Sequence, residues 1–318
     1  MTPEWKGLVD FPAMRRTFQV VGACAVLAVG LLSAQPPDPA VEATSLLGQP
    51  LRPPSPLPNR KALEADLAAA RSVADSTTPD ATIWIGRRLG YLWRYREAIE
   101  IFSAGIARHP SDPRLYRHRG HRYITVRQFA RAESDLARAA ELMASRPDET
   151  EPDGQPNAAG RPRSTLHFNV WYHLGLARYL QGNFAGALDA YRRCLEVSTN
   201  DDALVATSDW LWMTLMRLNR PEQAARVLDR ITPQMEILEN GSYHRRLLMY
   251  KGLATPESLL DIADGDATTI ATQGYGVGNY YLVRGDVERA REIFMRVVAG
   301  SGWNAFGSIA AEAELARR

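Results

Sequence analysis

From Lys61 onward, apolar residues recur at spacings of three and four in short runs, each ended by a helix stop and followed by a helix start. Thr78-Pro79 joins a capping hydroxyl to a proline in the first turn, where a missing N–H leaves no hydrogen bond unmade. His109-Pro110-Ser111-Asp112-Pro113 stops one helix and starts the next. Gly182-Asn183, Asn219-Arg220-Pro221 and Gly285-Asp286 are turns of two to three residues between helical runs of about 12 to 15 residues. Helices this short are marginal alone, and connections this short force antiparallel neighbours. With no convincing alternating strand pattern, the predicted fold class is all-α, each helix held by those stacked beside it.

The runs repeat with a period near 34 residues. In Phe168 to Asp201 the first helix carries Trp171, Leu174, Gly175 and Tyr179, a turn follows at Gly182-Asn183-Phe184, and the second helix carries Ala187, Tyr191 and Leu195. This unit resembles the tetratricopeptide repeat, with Arg178 at the slot where that pattern has tyrosine. The same frame lands on Pro79 to Asp112 (Gly86, Leu89, Tyr95, Ala98, Phe102, Pro110) and on Pro113 to Arg146 (Tyr116, Gly120, Tyr123, Phe129, Ala132, Leu136, Ala139). It lands again on Ala271 to Asn304 (Gly278, Tyr281, Ala290, Phe294, Val297), with weaker units over Val205 to Leu238 and Tyr243 to Asp264. The resemblance implies a right-handed α-solenoid of tetratricopeptide-type helix pairs over 79–304. Gly86, Gly120, Gly175 and Gly278 are expected to face Ala98, Ala132, Ala187 and Ala290 so that paired backbones approach closely. Cys194 takes a small-residue slot and reads as packing. A leading helix is expected within 61–78 and a capping helix within 303–318, where Trp303, Phe306, Ile309 or Ala310, and Ala313 recur at helical spacing.

The N-terminal 60 residues have a different texture. Val20 to Leu32 is uncharged, preceded by Arg15-Arg16 and followed by Ser33-Ala34. As a helix those 13 residues span about 20 Å, short of the roughly 30 Å hydrocarbon core, so 1–34 is expected to be a cleaved signal peptide and not a lasting membrane span. Met14 opens a conventional signal of its own and is an alternative start. Arg15-Arg16-Thr17-Phe18 fits twin-arginine export as well as the general secretory route. Val21-Gly22-Ala23-Cys24 is similar to a lipoprotein box, but Cys24 lies inside the apolar run. Residues 35–60 hold eight prolines and are expected to be an extended linker. Residues 147–165, with four prolines and two glycines, are expected to be a flexible insertion in the array.

Thirty-eight Lys and Arg against 36 Asp and Glu give a net charge of +2, which points to neither nucleic acid nor an anionic membrane as partner. Two cysteines 170 residues apart match no disulfide framework or zinc signature. His118-x-x-His121 puts two imidazoles on adjacent turns without a third ligand in sequence, and no nucleophile elbow, phosphate loop or dinucleotide fingerprint occurs. The sequence therefore predicts no catalytic residue, no metal site and no cofactor.

What remains is the inner surface that the resemblance implies for the first helices. It would carry Arg87, Tyr91, Arg114, Arg117, His121, Asn169, Tyr172, Tyr179, Asp209, Met213, Arg217, Tyr275 and Asn279. Such a groove, basic early and aromatic later, suits another protein or an extended, acidic peptide, because guanidinium forks grip carboxylates and tyrosines give contact area at low entropic cost. Ile83 stands where carboxylate-clamping relatives have a polar residue. The expected function is a non-enzymatic peptide-binding scaffold, exported to the periplasm or cell envelope or secreted. Two alternatives are an adaptor for an envelope protease or cell-wall enzyme, and a carbohydrate-binding accessory or enzyme in which Trp210, Trp212 and Trp303 stack on sugars.

Overall fold

The computed structural model describes residues 38, 40–260 and 265–317. The expected signal peptide, its alternative start and Cys24 lie outside these residues.

Helix caps written in the sequence set the helix starts. Helix α1 (Arg60–Arg71) leads, and α2 (Pro79–Tyr91) begins where Thr78 accepts from the Ala81 N–H at 3.2 Å. Helix α3 (Tyr95–Arg108) returns beside α2, and α4 (Pro113–Thr125) starts at Asp112, whose carboxylate accepts from the Arg114 N–H at 3.0 Å. The array continues through α5 (Phe129–Met143), α6 (Leu166–Leu180), α7 (Phe184–Glu196), α8 (Asp201–Arg217) and α9 (Pro221–Val227). It ends with α10 (Gly241–Tyr250), α11 (Pro256–Leu260), α12 (Ala267–Leu282), α13 (Val287–Val298) and α14 (Phe306–Ala316). Successive helices pack pairwise into an all-α solenoid. Two units start one turn earlier than the sequence frame placed them: the first of the weaker ones at Asp201 and not Val205, and the last strong one at Ala267 and not Ala271.

The glycines do permit close approach, but to different partners from those expected. The bare Cα of Gly86, Gly120, Gly175 and Gly278 lies against Phe102, Leu136, Tyr191 and Phe294, each four residues beyond the alanine predicted to face it. Ala98, Ala132, Ala187 and Ala290 are fully buried one turn earlier. The large side chain fills the space that the missing Cβ leaves, a knob over a flat spot.

Every pair turns through one residue in the left-handed region: Trp93, Arg127, Gly182, Asn219, Gly252 and Gly285. Glycine takes this conformation freely at 182 and 285. Trp93 and Arg127 adopt it because tertiary contacts hold them: Trp93 packs edge-on against Trp303 at 5.1 Å, and Arg127 ion-pairs with Glu312 in the interior.

Two expectations about the irregular segments are corrected. The proline-rich stretch is not a free tether: Ala43–Thr44 and Pro50–Leu51 (β1 and β2) pair as an antiparallel ribbon, and Leu51 and Leu57 are buried. Trp303 Nε1 donates to the Arg52 carbonyl at 2.7 Å, and Arg96 Nη1 donates to the Val41 carbonyl at 2.8 Å. Proline abolishes helix but not docking, and these partners lie far away in sequence. The 147–165 insertion is likewise tied down, by an isolated bridge between Thr150 and Thr165 and by side chains from α2 and α4. Among the described residues no helix is long and apolar enough to cross a membrane.

Candidate functional site: the inner face of the first helices

The first helix of each pair carries the predicted residues inward. From α6 to α12 that face is closed by the protein's own side chains. Tyr275 donates to the Tyr179 hydroxyl at 2.9 Å, and Tyr179 donates to Asn279 Oδ1 at 3.3 Å, joining helices 100 residues apart. Trp210 Nε1 donates to the Tyr172 hydroxyl at 2.8 Å, which in turn donates to Tyr243 at 2.9 Å. Tyr179, Met213, Tyr275, Asn279 and Asp209 are fully buried, and burial pushes the Tyr179 phenol up to about 12. Asn169 is buried on α6, its side-chain amide donating to Ser164 Oγ at 3.0 Å. These residues form a polar aromatic core and not an open groove.

The C-terminal helix closes the rest. Phe306 of α14 packs on His121, His173 and Tyr172 with ring centroids 5.3, 5.6 and 6.4 Å away. Arg217 Nη1 pairs with Glu314 at 2.7 Å, and Arg317 Nη2 donates to the carbonyls of Tyr179 and Leu180, both at 2.8 Å. The capping helix thus reaches across the inner face as well as covering the last pair. Periodicity places residues on a face but carries no signal for whether that face is free.

The N-terminal end is different. Arg114 bridges Asp112 and Asp80 at 2.6 and 2.7 Å, so it ties two repeats together; the Asp112 hydrogen bond, with Asp80 adding to it, holds its pKa above the usual range. Arg117 Nη2 pairs with Glu151 Oε2 at 2.8 Å, and both side chains are nearly excluded from water. Arg87 Nη1 donates to the Pro152 carbonyl at 2.7 Å, and Arg88 reaches the Gly154 carbonyl at 3.3 Å and Asp66 at 3.1 Å. Gly154 lies so close to the Tyr91 hydroxyl that a Cβ would collide with it. Arg122 faces the ring of Tyr95 at 5.5 Å and has no carboxylate partner among the described residues. An extended acidic stretch of the chain therefore already lies on the residues predicted to hold one.

Sequence reasoning missed Arg88, Arg122 and Glu151. The run Asp148-Glu149-Thr150-Glu151-Pro152-Asp153, opposite in charge to α2 and α4, was the available signal. Ile83 is buried among Leu67, Leu89 and Phe102, which is core packing. Trp210, Trp212 and Trp303 are also buried, Trp212 stacked on Tyr250 at 3.8 Å, so none is free to stack on a sugar. Cys194 is buried beside Thr207 Oγ1 at 3.1 Å, and burial pushes its thiol up to about 12.

The sequence pattern of the tetratricopeptide repeat matches residues 168–201, which span α6 and α7. This stretch of the chain is a tetratricopeptide repeat. No curated protein matches it. It is similar to YrrB, a tetratricopeptide-repeat protein described as having an unusual peptide-binding site, at 14% identity over 74% of this chain and 92% of that one, with a TM-score of 0.40. It is also similar to a tetratricopeptide-repeat protein from Parabacteroides merdae, at 17% identity over 81% and 91% of the two chains, with a TM-score of 0.45.

The fold also encloses three imidazoles between α4 and α6. His118 stacks on Phe102 at 5.6 Å, and His121 and His173 lie 4.5 Å apart. Burial, with Arg117 and Arg122 adding repulsion, holds His118 well below its ordinary value and His173 at about 3. In the unfolded chain both titrate near 6.5, so as pH falls below that value the unfolded state takes up protons that the folded state refuses. Stability is therefore present above about pH 7 and drains away on acidification, by about 1.4 kcal/mol per histidine between pH 7.5 and 5.5. Urea unfolding at those two pH values should show His173→Gln losing about 1.4 kcal/mol less than the wild type. An equal loss in both would mean that the imidazole is not held neutral.

Proposed function

We propose that this protein is a non-enzymatic scaffold that binds an extended acidic segment of another protein on the arginine-bearing faces of α2 and α4. We further propose that it works in the bacterial cell envelope after export directed by residues 1–34. The observation that carries the binding reading is the excess of guanidinium at that site. Arg87, Arg117 and Arg122 lie there against the carboxylates of Glu151 and Asp153 alone, and Arg117 Nε has no acceptor. Planar, permanently charged forks in a partly desolvated setting favour carboxylates, and Tyr91 beside them adds contact area. The inner face farther along is filled by α14 and by the tyrosine core, which leaves this end for a ligand.

Fluorescence anisotropy with a labelled, extended Glu- and Asp-rich peptide and its Gln and Asn counterpart tests the reading. The acidic peptide should bind, weaken with salt, and lose about tenfold or more on Arg122→Ala, a change that breaks no ion pair. Equal binding of the two peptides would rule out the site. Export is tested separately: residues 1–37 fused to a reporter active only outside the cytoplasm should give activity, and an inactive fusion argues against an envelope role.

A further inference from the structure

We infer that residues 148–154 are a built-in competitor: the chain's own acidic segment occupies the peptide site, and a partner binds by displacing it. This rests on the reading of that site given above and adds what controls access to it.

The segment has the chemistry of an occupant. Between 147 and 156 Glu151 alone is buried, and it is buried on Arg117. The helices hold it otherwise by main-chain carbonyls, Pro152 to Arg87 and Gly154 to Arg88, the way an extended peptide is gripped along its backbone. Residues 148–151 also pair with the start of α6: the Glu151 N–H donates to the Ser164 carbonyl at 3.0 Å, and the Leu166 and His167 N–H groups donate to the Glu149 carbonyl and the Asp148 carboxylate, both at 2.9 Å. At its far end exposed polar pairs fasten the segment, Asn157 with Glu239 and Arg161 with Glu236, both at 2.6 Å. Exposed pairs contribute little to stability, and segments with few buried apolar contacts open most easily.

The segment is also an imperfect occupant. Arg117 Nε, Glu151 Oε1 and Asp153 Oδ2 are buried without hydrogen-bond partners, and Arg122 has no anion. Native interiors rarely leave so many polar atoms unpaired in one place. A ligand with three carboxylates, one for each of Arg87, Arg117 and Arg122, would satisfy groups that the segment leaves unmet. The preferred partner is thus an extended peptide carrying one more negative charge than the segment delivers. Opening without a ligand is disfavoured because Arg117 would be left unpaired, which makes the exchange ligand-driven.

The test uses the full chain and a labelled peptide with the sequence of residues 147–156. Gly154→Val keeps every charge but puts a Cβ into the Tyr91 hydroxyl, and Glu151→Gln removes the charge that Arg117 pairs with; both loosen the segment from outside the helices. Circular dichroism checks that each variant is folded. Because a tethered competitor lowers apparent affinity by the fraction of time the site is free, both variants should bind the peptide about tenfold or more tightly than the wild type. If wild type and variants bind equally well, the site accepts acidic peptides but the segment is no competitor. If none binds, the competitor and the site it was placed on both fail.

Discussion

Replacing Arg246 with alanine should destabilise the fold by about 3–5 kcal/mol, the usual loss when one partner of a buried ion pair is removed. Arg246 and Asp209 are completely excluded from water and lie 2.8 Å apart. Burial works against the Arg246 charge, but Asp209 and the surrounding phenols outweigh it and raise its pKa above the ordinary range. The guanidinium also faces the rings of Trp210, Tyr243 and Tyr275 at 6.0, 5.5 and 5.7 Å, and donates to the Thr272 carbonyl at 3.2 Å. It thereby ties α8, α10 and α12 together at the weakest of the repeats. Urea unfolding followed by tryptophan fluorescence measures the loss. The double variant Asp209→Leu with Arg246→Met should recover part of it, since two matched apolar side chains leave no charge stranded. A loss below about 1 kcal/mol in Arg246→Ala would show that water reaches this pair after all.

Glu312→Ala should cost a similar 3–5 kcal/mol, and its effect should spread along the inner face. Glu312 is the buried partner of Arg127, 185 residues away, and it also accepts from the Leu46 N–H at 3.2 Å. One carboxylate thus joins α14, the α4–α5 turn and the N-terminal ribbon. Without it Arg127 loses the contact that holds it in the left-handed region, a conformation that itself costs about 1–3 kcal/mol. Hydrogen exchange should show the amides of 306–316 losing protection before those of α6 and α7. Protection of α14 equal to that of the wild type would mean that apolar burial of Ile309, Ala310 and Ala311 alone seats the helix.

These two variants mark where sequence reading stops. The cap at Thr78, the helix start at Asp112-Pro113 and the turns at Gly182-Asn183, Asn219-Arg220-Pro221 and Gly285-Asp286 were legible because each depends on residues within four positions of itself. Trp93 and Arg127 take the same conformation without a turn residue's signature, because Trp303 and Glu312 hold them from the far end of the chain. Of the residues assigned to the inner face, Arg87, Tyr91 and Arg117 lie near one another, while Tyr179, Tyr275 and Asn279 sit in the core. A tyrosine on an inward face reads the same from sequence whether a ligand or another tyrosine covers it.

The sequence by itself determined the helices, their pairing and the repeat, since helical period, caps and short turns are local and the knob of each second helix is a fixed distance from the glycine of the first. Only the tertiary structure decided what fills the inner face. Tyr179 of α6 meets Tyr275 of α12, Phe306 of the C-terminal helix packs on His121 of α4, and the proline-rich arm and acidic insertion find partners far along the chain. Such contacts join residues tens to hundreds of positions apart, which no window of residues records.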